Sequence, residues 1–326
     1  IRRQPPLADA SCDPDDLRLR VQSRLAELAP AHDGLLSTAA REALLGQGKR
    51  VRPELAMLAS AGDAAATIDL ASNLYSLLRN LGKPRLLARV GQVRDAAQAQ
   101  LGSTWQDAHF EAASTKIEQQ LASGQGPAAL AGAQALLQTA LAAGAAAYQG
   151  ADYDLAMAHF LLGRVLRTSG QASAALPLLQ KAEQGFASIA QSQSDASAEA
   201  MAAVCLTEQA NCLSAMGRLA AAATAYQSAI ARAEQRGAVR EVAVGKFQLG
   251  TVYLRQKNYQ QALAAYEAAR SSFAALNEPG TVANSWHQTG MTYQEAGQAR
   301  QAEDAYRQAL VIRVRLGNIA GQASTL

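Results

Sequence analysis

Charge of one sign is what this 326-residue chain most plainly lacks: 30 Lys and Arg stand against 27 Asp and Glu, a formal net charge of +3. So near a balance gives no broad electropositive footprint for nucleic acid or a membrane surface, and electrostatics alone names no partner. Cysteine is scarce, with Cys12, Cys205 and Cys212 only. Odd in number and without metal-ligand spacing, the cysteines form no disulfide framework and read as belonging to a reducing, cytoplasmic compartment. Cys205 and Cys212 are seven apart and would share one helix face as small buried hydrophobes. Aromatic residues are 5% of the chain against 49% hydrophobic residues overall, rich in Ala and Leu, which favours closely packed helices and almost no strand. No apolar run reaches the roughly 18 residues of a membrane span. Even residues 127–147 are Ala- and Gly-rich and broken by Gln134 and Gln138, and residues 1–6 lack the apolar core of a signal peptide.

Reactive motifs are missing as well. A phosphate-binding loop needs Gly-x4-Gly-Lys-Ser/Thr, but Gly48-Lys49 is followed by Arg50 and position 43 is Ala. His32, His109, His159 and His287 are scattered without a second ligand at helical spacing, so neither metal nor cofactor is expected. There is no Gly-x-Ser-x-Gly elbow, and neither Cys205 nor Cys212 has the histidine a thiol nucleophile needs. Asp152 and Asp154 stand where a helix should start, and capping explains them. No enzymatic activity is expected.

What is there is a sentence written twice. Leu249-Gly250-x-x-Tyr253, then Ala262, Tyr266 and Ala269, returns as Thr289-Gly290-x-x-Tyr293, then Ala302, Tyr306 and Ala309, each position forty residues further on. Small residues such as Gly250 and Ala262 let two antiparallel helices approach, and Tyr253 and Tyr266 fill the space beside them. With Trp286, this pattern resembles the tetratricopeptide repeat. The resemblance implies an all-α, right-handed superhelical solenoid in which each hairpin buries its apolar face on its neighbours.

Turn signals at Gly82, Gly124, Gly170, Gly217, Lys257-Asn258 and Gly297 follow at steps of 42, 46, 47, 40 and 40. They predict about six hairpins within residues 61–326, over 63–101, 105–143, 153–189, 200–236, 241–275 and 281–316. Counting forty on puts the start of a seventh near Ser324. Because the pattern stops at Leu326 and the first residue is Ile1, both ends are expected to be cuts in a larger protein, with self-association through the C-terminal end.

Residues 1–60 read as an irregular helical segment punctuated by Pro5, Pro6, Pro14, Pro30 and Pro53. Within it, Gly46-Gln47-Gly48-Lys49-Arg50-Val51-Arg52-Pro53 resembles the Gly-Gly-Lys-Arg-x-Arg-Pro motif of the polyprenyl diphosphate synthases, with Gln47 in place of one Gly. That resemblance implies diphosphate binding by Lys49, Arg50 and Arg52, in a remnant or fusion of such a synthase. The family's Asp-Asp-x-x-Asp motifs, which hold Mg²⁺, do not occur here, and without metal the leaving group is not activated. The bland alternative is a solvated basic turn at a helix C-terminus. Segments such as Asn284-Ser285-Trp286-His287-Gln288-Thr289-Gly290 further resemble the long-repeat arrays of bacterial signal-transducing NTPases. This implies the sensor or scaffold segment of a larger signalling protein.

The tetratricopeptide resemblance also places partner binding on the first helix of each hairpin, along the concave face. Carried over position by position, it implies Phe160, Arg164, Arg167, Asn211, Phe247, Arg255, Asn284, His287 and Met291. Such a groove suits a protein or peptide with apolar anchors and acidic flanks. The alternative is that these residues only pack between helices or face water. The Lys/Asn carboxylate clamp of some family members is not reproduced, since Thr207 and Gln248 occupy those positions, so binding of a chaperone tail is disfavoured.

Overall fold

The computed structural model describes residues 63–80 and 84–325. Residues 1–60, with Lys49, Arg50, Arg52 and Cys12, lie outside them, as does Gly82. Among the described residues there are thirteen α-helices and no strand, in keeping with the Ala-, Leu- and Gln-rich composition. No described helix is long and apolar enough to cross a membrane. The chain divides into two compact units, one ending at Gln119 and the other beginning at Gln120.

In the first unit α1 (Ala64–Asn80) packs on α2 (Pro84–Gln98). Asp63 caps α1, its carboxylate accepting from the Ala66 amide at 2.9 Å. Proline opens α2, where the missing amide hydrogen costs nothing. Helix α3 (Asp107–Ala122) follows and runs across the division.

The second unit contains α4 (Gly126–Ala143), α5 (Ala151–Thr168), α6 (Ala172–Gln193), α7 (Ala196–Ala215), α8 (Leu219–Gln235), α9 (Val239–Arg255), α10 (Tyr259–Ala275), α11 (Pro279–Glu295), α12 (Ala299–Arg315) and α13 (Ile319–Ala323). Each helix packs on the next, and first helices also touch across hairpins, α5 on α7 and α9 on α11. From α8 to α12 every helix is 17 residues long. The residue ending each turn is left-handed at a strict interval of twenty: Gly217, Gly237, Lys257, Asn277, Gly297 and Gly317. There the chain folds back so that late carbonyls are satisfied, as where the Arg218 amide donates to the Leu213 carbonyl at 2.9 Å. Four of the six are glycine, which adopts this conformation without strain. The seventh first helix starts at Ile319, ahead of the expected Ser324. The reversal at Gly317 is followed directly by Asn318, whose side chain caps the Gly321 amide at 2.9 Å.

The small-against-large interlock holds the hairpins. A Cβ added to Gly250 would stand 2.8 Å from the Tyr266 ring, one on Gly290 would stand 2.6 Å from Tyr306, and one on Gly163 would stand 2.8 Å from Leu179. Ala262 and Tyr266 are fully buried. The fourth hairpin has Ala210 at the equivalent place, in the same core cluster as Tyr226. Trp286 lies under Arg270, whose guanidinium carbon is 3.6 Å from the indole centroid. Cys205 and Cys212 are fully buried within α7 as free thiols.

Candidate functional site

The first helices α5, α7, α9 and α11 carry all nine residues expected to meet a partner, and the structure divides them into two groups. On α5 and α7 they are largely engaged with each other. Phe160 is only 5% exposed, so its ring belongs to the stack and is no open anchor, contrary to expectation. Arg164, half-buried, lies with its guanidinium carbon 5.5 Å from the Phe160 ring centroid. Arg167 forms an ion pair with Glu208 across α5 and α7. Glu208 also accepts from Asn211 Nδ2 at 3.4 Å, and Asn211 Oδ1 in turn accepts from the Tyr226 hydroxyl. Burial, then the Glu208 charge, pushes the Tyr226 phenol well above its ordinary value.

Arg255 reaches from α9 to the C-terminal end of α7. Its Nη1 donates to the Ser214 carbonyl at 2.8 Å and to Ser214 Oγ at 2.6 Å, a cation on carbonyls that the helix leaves open. Two of the three expected arginines therefore stitch neighbouring hairpins. Arg255 nevertheless stays exposed, and a guanidinium has more donors than Nη1 alone.

On α9 and α11 the picture changes. Phe247 and Met291 are half-buried and both pack against one core cluster of Leu254, Ala262 and Tyr266. Phe247 meets the Tyr266 ring edge-on at 5.5 Å. The Tyr266 hydroxyl donates to Thr251 Oγ1 at 3.0 Å, and burial pushes this phenol up to about 12. Asn284 is exposed and its Oδ1 accepts from Arg313 Nη2 at 3.1 Å. His287 stacks at a tilt on Tyr306, centroids 5.4 Å apart. Burial first, then the Arg313 charge, holds its imidazole below the usual range, so it is neutral at physiological pH.

Beside His287 opens a cavity of about 710 Å³, lined also by Gln294, Tyr306, Arg307, Ser324 and Thr325. The Tyr306 hydroxyl donates to Gln294 Oε1 at 2.7 Å. No nucleophile here is set against a base: His287 meets a tyrosine ring, and that phenol is raised by burial. Among the described residues no group of three His, Cys, Asp or Glu lies together as a metal site would require. The arrangement offers apolar contact and hydrogen bonding, with the charges of Glu303 and Arg307 at the cavity wall.

Sequence reasoning missed Glu208, which occupies Arg167, and placed Ser214 on the concave face without foreseeing that it occupies Arg255. Both lie on helices forty-odd residues distant, and only the stacking brings them near. A carboxylate at a first-helix position beside an arginine ladder was the one available signal.

No curated protein sequence matches the chain. Among solved structures the chain resembles the apo form of RapI, at a TM-score of 0.67 and 12% identity, over 95% of this chain and 80% of that one. It resembles a Rap protein complexed with Competence and Sporulation Factor at 0.63 and 10%, over 96% and 80%. It also resembles the Rap conjugation gene regulator of the plasmid pLS20, solved with a peptide, at 0.53 and 13%, over 86% and 78%. Identities this low speak for the fold, an all-helical repeat array. Residues 241–313, which span the hairpins α9–α10 and α11–α12, match the tetratricopeptide repeat family.

Proposed function

We propose that this chain is a non-catalytic interaction scaffold that holds a peptide or extended protein segment along its first helices, centred on α9 and α11. The observation that carries the reading is the pair Phe247 and Met291, half-open on adjacent helices and supported from beneath by one rigid cluster. Such anchors offer an apolar side chain a surface that does not collapse when vacant. Around them Thr251, Asn284, His287 and Gln294 supply neutral hydrogen bonds. Arg255 and Arg164 supply positive charge toward the α5 side, so a segment with an apolar centre and an acidic end fits. Two of the similar solved structures contain a bound peptide or factor, which accords with this use of the fold. The likeness of residues 284–290 to signal-transducing NTPase arrays makes a sensor segment the more specific form of the proposal.

The test is selection of peptides from a random library on the intact chain, followed by affinity measurement with variants. Phe247→Ala and Met291→Ala should each weaken binding by about 2 kcal/mol, the loss expected of a central anchor. Gln261→Ala, on the exposed side of α10, should change it by less than about 0.5 kcal/mol. Equal affinity for all three variants moves the site off the first helices.

A further inference from the structure

Val311 and Val314 on α12 are 48% and 56% exposed. In a stacked array the ready explanation is that another hairpin would cover them, and the internal repeat rules it out. Forty residues earlier the same positions are Ser271 and Ala274 on α10, and forty before that Ala231 and Glu234 on α8. All four are exposed, although α8 and α10 each have a following hairpin packed on them. On α8, α10 and α12 alike this side of the second helix faces solvent. Of these three, α12 is the one that makes it of branched apolar side chains.

The charges around the valines are specific. Arg307, Val311, Val314 and Arg315 follow the i, i+4, i+7, i+8 spacing of one helix face, with the two arginines about 12 Å apart along the axis. Both arginines are exposed. Arg307 pairs with Glu303 on its own helix at 2.6 Å, but the two side chains are 69% and 62% exposed, and such a pair exchanges readily for a better partner. Leu316 and Ile319, 46% and 78% exposed, are further apolar residues at the turn that follows.

We propose that this face of α12 docks an acidic amphipathic helix, whose apolar residues cover Val311 and Val314 and whose carboxylates, two turns apart, meet Arg307 and Arg315. Charge argues against a second copy of the chain docked in register about Val311. A twofold contact centred on Val311 sets Arg307 against Arg315 when the helices run antiparallel, and each arginine against itself when they run parallel. An anionic membrane is disfavoured because its continuous headgroup layer could not avoid Glu303 and Asp304, exposed one turn before Arg307, whereas a helix can set non-acidic residues opposite them. This surface lies on a second helix and adjoins the His287 cavity at Arg307, but it does not include the anchors Phe247 and Met291.

The probe is a fluorescent helical peptide of about five turns with leucines on one face and glutamates eight residues apart beside them, titrated with the intact chain by anisotropy. The decisive variant is Val311→Ser with Val314→Ala, which copies residues α10 already carries at exposed positions and so leaves the fold alone. It should weaken binding about tenfold or more, as should Arg315→Glu. A peptide with lysine in place of glutamate should not bind, and Phe247→Ala should bind the probe like the unaltered chain. The proposal is overturned if the chain does not bind the probe, if the valine variant binds it undiminished, or if the lysine peptide binds equally. It is also overturned if the valines prove to be needed for phosphatidylserine vesicle binding, or for a dimer seen by sedimentation.

Discussion

Gly250→Ala adds one methyl at the closest approach of α9 and α10, and the structure supplies the opposing terms. An alanine inside a helix gains up to about 1 kcal/mol over glycine. Against that, the new Cβ would stand 2.8 Å from Cε1 of Tyr266, a ring that is fully buried and has nowhere to swing. Overpacking of this kind costs about 1–3 kcal/mol. If the ring retreats instead, its bond to Thr251 Oγ1 is lost, about 1 kcal/mol more. The net expectation is a loss of about 2 kcal/mol in the α9–α10 hairpin. Ala210, packed in the cluster of Tyr226, shows that a hairpin can form around a methyl here when its helices have settled at that spacing. Ala210→Gly should therefore also destabilise, by about 1 kcal/mol, through helix propensity and lost packing. Because repeat arrays need not unfold as one unit, the assay is native-state hydrogen exchange, with α5–α6 amides as the internal reference. Unchanged or increased protection of α9–α10 in Gly250→Ala would refute the interlock as the organising contact.

Lys257 holds a left-handed backbone with φ of 62° at a place where four equivalent junctions have glycine, so Lys257→Gly should stabilise by about 0.5–1 kcal/mol, measured by thermal and urea unfolding. Burial holds His159 and His287 below their ordinary value, so the unfolded chain takes up protons first as pH falls below about 6.5 and stability is lost through that window. The acid slope should shrink in His287→Gln. At the other extreme, Tyr266 keeps its proton up to about 12 while an unfolded tyrosine loses it near about 10, so stability falls as pH rises above the latter, less steeply in Tyr266→Phe. Burial pushes the Cys212 thiol up to about 11 and raises Cys205 further, so both should react with a thiol reagent only at the rate of local opening. Rapid labelling of either in the native chain would contradict their burial.

The fold was legible because its organising contact is local in sequence. Gly250 with Tyr266, and Gly290 with Tyr306, lie sixteen residues apart within one hairpin, and small-against-large spacing of that kind writes a period that can be read from letters alone. The buried thiols of α7 were legible by the same logic, since a seven-residue interval returns to one helix face. The face for partners was less so. Whether Phe160 stands open or Arg167 is free depends on what the next hairpin sets opposite, and Glu208 and Ser214 reach them only through stacking. Phe247 and Met291 shared their repeat positions with residues that proved engaged, and only the packing of α9 on α11 separates them. Val311 and Val314 went unnoticed because apolar residues on an amphipathic helix are ordinarily core. Their exposure is anomalous only beside Ser271 and Ala274.

The left-handed residue that returns at Gly217, Gly237, Lys257, Asn277, Gly297 and Gly317 sets the rules by which this part of the array can lengthen. A duplicated stretch of forty codons, beginning and ending at such residues, inserts one hairpin whose two faces meet surfaces they already fit. Other lengths leave part of a helix or extra loop at the junction, and the faces that meet there no longer match. Growth by unequal recombination would thus be filtered at the level of folding.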